Sequence, residues 1–255
     1  MVVVPLDGSE RAECALPVAA SIAARAAVLL RLIHVHAADD AAFGTMDAAE
    51  RYVRTQVDRL RDATAIVTGD VMRGEVLDAL RHEGAAPMTA WVVMTSGGAG
   101  GERQGFGRVS AGLVSSMGSP IILCGPSMSA SGGRPGDATG MRNIAIALDG
   151  SGDAEAAIPR AVRLARVHGA RLTLLSVEPA EGGEMEAYLD ALADRLDAPD
   201  LHVSRRRIRS RDTAGSLVRA ASEENADAIA IGRGFLARDP AATAIVVAAK
   251  QPLLI

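Results

Sequence analysis

The chain has a single lysine, Lys250, among its 27 basic side chains. A Walker-type phosphate loop needs a lysine directly after its glycines; Lys250 lies in the last predicted helix, so that motif is excluded. Aromatic side chains make up only 2% of the residues, too few for platforms that stack single-stranded nucleic acid. Acidic residues number 31 and the net charge is −4, so general attraction to a phosphate backbone is not expected either. The two cysteines, Cys14 and Cys124, do not make a disulfide framework. Cys14 falls on the apolar side of a predicted helix and is expected in the core. The alanine-rich stretch ending at Arg25 is too short and too weakly apolar to span a bilayer. "MVVVPLDGS" has no basic segment ahead of an apolar one, so no secretory signal is read. A cytoplasmic protein without membrane or nucleic-acid partners is the expectation.

What the chain does have is a repeat. "VPLDGSERAECALPVAASIA", residues 4–23, returns as "IALDGSGDAEAAIPRAVRLA", residues 146–165, with ten of twenty positions identical at an offset of 142. Between the copies, "GPSMSASGGRPGDATGM" (residues 125–141) carries glycine, proline and serine without hydrophobic periodicity and reads as a linker. The expected organisation is therefore one domain over 1–124, a linker over 125–141 and a second domain over 142–255.

Each half alternates short apolar runs with segments of helical periodicity. "MVVVPL" suits a strand buried on both faces. Ser9 is placed to cap the next helix, with Glu10 in its first turn. Pro17, and Pro159 at the same place in the second half, fall inside that helix and predict a shared bend. "AVLLRLIHV", "AIVTGDVM", "AWVVM" and "IILC" read as further strands, and "NIAIAL", "RLTLLSV", "LHVSRRRI", "AIAI" and "PLLI" as their counterparts. Such alternation predicts two α/β domains with parallel sheets covered on both faces.

In open sheets of this kind ligands bind beyond the carboxyl ends of the strands, where strand order reverses. Asp7 and Asp149 stand at that end of the first strand in each half. The glycine-rich stretch 97–107 follows the fourth strand and leads into a helix, where backbone N–H groups and the helix terminus favour an anion. Two readings stay open on spacing alone: a nucleotide site, or a surface loop with Asp7 as a turn residue. "GRGFLA" (232–237) fits a dinucleotide fingerprint but leaves no room for the following strand and its ribose-binding acid. No G-x-S-x-G elbow is present. His34 and His36 share one face near a strand end, but no third metal ligand is apparent, so no metal site is expected. The run "RRRIRSR" (205–211) has two readings, an anion contact or an edge strand whose charges discourage pairing. The second is preferred, since Glu181, Glu184, Glu186, Asp190, Asp194 and Asp197 precede it.

Taken in order, "VPLDGSERAECALPVAASIA", "LIHV", "GEVLDAL", "WVVM", the glycine loop and "SPIILCG" resemble a universal stress protein domain. The resemblance covers the first half and most of the second, so the chain is similar to a tandem universal stress protein. It implies the adenine-nucleotide-hydrolase-like fold: two open five-stranded parallel sheets, strand order 3-2-1-4-5, helices on both faces, and the arginine run on an edge strand. ATP-binding members carry an aspartate after strand one, a valine ending strand two and a loop of the form G-x-x-G-x9-G-[ST]. Asp7 and Val35 match in the first half, as do Asp149 and Val177 in the second. In the loop, Thr95 stands for the first glycine, Gly98 matches the second, Gly107 follows after only eight residues, and Arg108 replaces the serine or threonine.

The resemblance thus implies a stress-response regulatory protein with ATP or AMP held in the first domain. Asp7 and Val35 would hold the nucleoside; Gly98, Gly101, Gly107 and Arg108 would hold the phosphates. In the second half Gly232 matches but Phe235 replaces the next glycine and the stretch to Pro240 is short, so nucleotide is not expected there. Its implied role is that of an internal pseudo-dimer partner. The alternative is a tandem member that binds no nucleotide and acts through protein partners. Efficient ATP hydrolysis is not expected, because no base and metal-binding hydroxyl are paired near Asp7.

Overall fold

A computed structural model describes residues 1–38, 40, 42–63, 66–98, 106–128, 140–178, 184–234 and 240–255. Gly101 and most of the glycine- and serine-rich segment, residues 129–139, lie outside these. The chain divides into two compact units, Met1–Gly140 and Met141–Ile255.

In unit 1, β1 (Val2–Pro5), β2 (Leu30–His36), β3 (Val67–Arg73), β4 (Trp91–Thr95) and β5 (Ile121–Cys124) form a parallel sheet of order β3-β2-β1-β4-β5. The runs read as two-sided strands are buried throughout: Val2, Leu30, Leu32, Ile33, Val93, Ile121 and Leu123 are at most 1% exposed. Full burial of each such side chain stabilises the fold by roughly 1.5–3 kcal/mol. β3, at one end, is mostly exposed or half-buried and carries Asp70, which pairs with Arg31 of β2 at 2.8 Å. The helices of this unit are α1 (Glu10–Glu13), α2 (Leu16–Ala26), α3 (Met46–Leu60), α4 (Val76–Ala85) and α5 (Arg108–Ser116).

Unit 2 repeats the plan with β6 (Asn143–Ala147), β7 (Arg171–Glu178), β8 (Val203–Arg209), β9 (Ala228–Ala230) and β10 (Leu253–Leu254). Their order is β8-β7-β6-β9-β10, again parallel and again 3-2-1-4-5 within the unit. Its helices are α6 (Gly152–Glu155), α7 (Ile158–His168), α8 (Glu184–Leu196), α9 (Thr213–Glu223) and α10 (Pro240–Ala248).

Two sequence expectations need correction. Pro17 and Pro159 do not bend one helix. In each unit the chain makes a single capped turn (α1, α6) and then begins a new helix whose first positions include the proline. An N–H is not needed there, so the proline loses no hydrogen bond. Ser9 and Ser151 do cap these turns, each accepting the N–H three residues on, from Ala12 at 3.1 Å and Ala154 at 3.2 Å. Cys14 is not core: it terminates α1 and is half-buried. Cys124, on β5, is the buried cysteine, and burial pushes its thiol up to about 12.

Arg205 to Arg209 of the arginine run lie on β8, at the end of the unit 2 sheet. Arg205 pairs with Asp190 and Arg207 with Glu186, both on α8, while Arg206 pairs with Glu223 and Glu224 at the end of α9. The acidic helix neutralises part of the run, as the edge-strand reading expects.

Candidate functional site

In unit 1 the strand order reverses between β1 and β4, which pair in parallel although β2 and β3 intervene in sequence. A cavity of about 760 Å³ opens there. Its lining combines the apolar Leu6, Ile33, Val35 and Met94 with Asp7, Gly98 and the start of α5. Asp7, Val35, Gly98, Gly107 and Arg108 all line this one cavity, whereas Gly101 falls outside the described residues.

Local chemistry sets each position. Asp7 follows β1, and its Oδ1 accepts the Ser9 N–H at 3.0 Å and the Ser9 hydroxyl at 2.5 Å. That Asx turn depends on Gly8, whose φ of +83° is left-handed and whose added Cβ would meet the Phe43 ring at 2.7 Å. The other carboxylate oxygen, Oδ2, lies against Gly98, where any Cβ would run into it. Val35, near the end of β2, is 6% exposed and supplies apolar wall.

The stretch after β4 is pinned at its two ends. Gly107 N–H donates to Ser96 O at 2.7 Å, the Ser110 hydroxyl donates to the same oxygen at 2.5 Å, and Thr95 Oγ1 donates to Gly97 O at 2.7 Å. The Gly107 amide is therefore turned inward, away from the anion-holding role the sequence suggested for it. Gly107 is instead the residue before α5, whose first intrahelical bond is Ala111 N–H to Gly107 O. Amides ahead of that bond, those of Arg108, Val109 and Ser110, are the ones a helix N-terminus leaves for an anion. Arg108 is exposed at the same terminus.

Sequence reasoning missed three neighbours of this site. Phe106 lines the cavity. Phe43 packs edge-on against His34 with ring centroids 4.9 Å apart and stands 4.9 Å from Tyr52. Asp40 is the third: its Oδ2 lies 2.8 Å from His34 Nε2 and 2.7 Å from His36 Nδ1. Burial pushes the Asp40 carboxyl up, but its contacts with the two histidine rings and the hydrogen bond from Ala42 N–H outweigh it and hold the group below the usual carboxylate range. The only sequence signal was the spacing H-x-H-x3-D, and no periodicity brings a loop residue back onto its strand.

Asp149 forms the same turn in unit 2, accepting Ser151 N–H at 2.9 Å, but it is exposed. Residues 235–239, where the second loop departs most from the family pattern, lie outside the described residues.

The doubly wound α/β plan is built twice in this chain, and in unit 1 a carboxylate and a glycine stretch meet at the reversal point, where such folds bind ligands. Residues 140–250 match the model of the universal stress protein family. A universal stress protein from Archaeoglobus fulgidus superimposes over 99% of this chain and 94% of its own, with TM-score 0.72 and 13% identity. A putative universal stress protein from Pseudomonas aeruginosa does so over 99% and 91%, with TM-score 0.65 and 14% identity. A universal stress protein solved in complex with cAMP aligns over 46% of this chain and 96% of its own, at 23% identity and TM-score 0.38. No curated protein sequence matches the chain. Residues 140–250 thus carry a universal stress protein domain, and the chain as a whole has the fold of tandem proteins of that kind, with unit 1 repeating the plan of unit 2. No helix among the described residues is long and apolar enough to cross a membrane.

Proposed function

We propose that unit 1 binds one adenine nucleotide, ATP or AMP, and serves as a regulatory nucleotide sensor in a stress response. The supporting observation is that Asp7, Val35, Gly98, Gly107 and Arg108, picked out one by one in the sequence, line a single cavity at the sheet's reversal point. In this reading Asp7 Oδ2 accepts from the sugar hydroxyls, Val35 and Phe106 give apolar surface to the base, and Arg108 with the first amides of α5 takes phosphate. Binding proceeds without efficient hydrolysis, since Arg108 stands where a metal-binding hydroxyl would be needed. Unit 2 binds no nucleotide.

The second reading is a tandem protein that works through protein partners alone. It is favoured by the inward-turned Gly107 amide, which leaves the phosphate cradle with one donor fewer. Calorimetric titration with ATP and AMP, with and without magnesium, separates the two after any carried-over nucleotide has been removed and identified. Binding near one site per chain supports the sensor. No binding up to millimolar nucleotide leaves protein partners as the function.

A further inference from the structure

The loop after β2 returns Asp40 onto the strand end, and the ligand atoms of His34, His36 and Asp40 all lie within 4.8 Å of one another. His34 and Asp40 line the unit 1 cavity. His34 is 3% exposed, and its Nδ1 lies 2.9 Å from Leu6 O. A backbone carbonyl only accepts, so Nδ1 carries a proton and donates it. A neutral His34 then aims the lone pair of Nε2 at Asp40 Oδ2, itself an acceptor, 2.8 Å away. Two lone pairs facing each other need a proton or a metal ion between them.

The surroundings are those of a ligand set with outer support. A histidine whose Nδ1–H is held by a carbonyl presents Nε2 in the tautomer that metals bind. Asp40 is oriented in the same manner, its Oδ1 accepting the Ala42 N–H at 3.1 Å and leaving Oδ2 for the two imidazoles. Two imidazoles and one carboxylate suit zinc and neighbouring transition metals, not magnesium or calcium, which take oxygen ligands. Three protein ligands also leave a coordination position open. An ion needs its neighbouring ligand atoms roughly 3.3 Å apart at zinc bond lengths, so binding opens the two short contacts by about half an ångström. Unit 2 has Ser176 and Glu178 at the matching strand positions, and Glu178 is paired with Arg207 instead.

We propose that His34, His36 and Asp40 bind one divalent transition-metal ion of the zinc class on the wall of the unit 1 cavity, independently of any nucleotide. The test uses the full-length chain, stripped with a chelator and free of nucleotide. It is titrated with cobalt(II), followed by visible absorption, and with zinc(II) in competition with a chromophoric chelator. The expected result is one ion per chain, with a cobalt spectrum lacking the near-ultraviolet thiolate band that coordination by Cys14 would give. Asp40→Asn and His36→Gln should each weaken binding at least tenfold, and zinc should raise the melting midpoint of the native chain but of neither variant. Far-ultraviolet circular dichroism checks that both variants are folded. Failure of cobalt and zinc to bind at 100-fold excess over protein, or unchanged affinity in both folded variants, overturns the proposal. In that case the cluster is a hydrogen-bonded clasp holding the loop to β2. Since no nucleotide is present, either result leaves the nucleotide reading to its own titration.

Discussion

Gly98 sits so close to Asp7 that a Cβ at that position would run into the Asp7 carboxylate. The carboxylate cannot swing away freely, because its other oxygen accepts both the amide and the hydroxyl of Ser9. Gly98→Ala must break those bonds or displace the loop, at a cost of about 1–2 kcal/mol. Urea denaturation should show that loss, and nucleotide affinity should fall at least tenfold with it. Gly118→Ala is the control, since nothing lies within 4 Å of a Cβ there, and its stability should stay within about 0.5 kcal/mol of the parent.

Asp7 and Asp149 are equivalent in sequence but not in setting. Asp7 lines the cavity beside Gly98, while Asp149 is exposed. Asp7→Asn keeps an oxygen for the Ser9 amide and removes the charge, so folding should survive while ATP affinity drops about tenfold or more, some 1.4 kcal/mol. Asp149→Asn should leave ATP binding unchanged. Equal losses at both positions, read by calorimetry, would remove unit 1 from its special place.

Much of the fold was legible because it rests on short-range pattern. Continuous apolar runs marked the two-sided strands, and the repeat with its offset of 142 marked the two units. The carboxyl ends of strands one and four were enough to bring Asp7 and Gly98 together. Other features depended on contacts that pattern does not encode. The prolines looked like helix breakers because nothing in the periodicity separates a bend from a fresh helix start. Gly107 looked like a phosphate donor until its amide was found on Ser96 O. Asp40 meets His34 and His36 only through the path of a loop, and loop paths have no periodicity to read.

Arg207 is the least exposed of the three ion-paired arginines of β8. Its side chain is 18% exposed and it stands beside Glu178, which is 12% exposed. Removing the cation leaves Glu178 partly buried without compensation, so Arg207→Ala should cost about 1–3 kcal/mol. Arg209 is exposed on the same strand, and Arg209→Ala should change stability by less than about 0.5 kcal/mol. If the run instead served an anion, both variants would lose retention on heparin and neither would lose stability. Chemical denaturation and heparin chromatography on the same two variants therefore read the two alternatives directly.

The repeat also contains an internal comparison of helix ends. α2 stops at Ala27 with φ of +51°, and α7 stops at Gly169, its partner at the 142-residue offset, with φ of +64°. Both close the helix the same way: Val28 N–H bonds to Ala23 O and Ala170 N–H to Ala165 O, each at 3.0 Å or less. An L-residue in the left-handed region is strained by about 1–2 kcal/mol, whereas glycine is not, though it gives up about 0.5–1 kcal/mol more chain entropy on folding. Ala27→Gly should thus stabilise unit 1 by about 0.5–1 kcal/mol, and Gly169→Ala should destabilise unit 2 by a similar amount. The two changes are chemically opposite at equivalent sites, so opposite shifts in denaturation midpoint are the expected outcome. Shifts of the same sign would mean that packing around the two helix ends, not backbone conformation, sets the stability there.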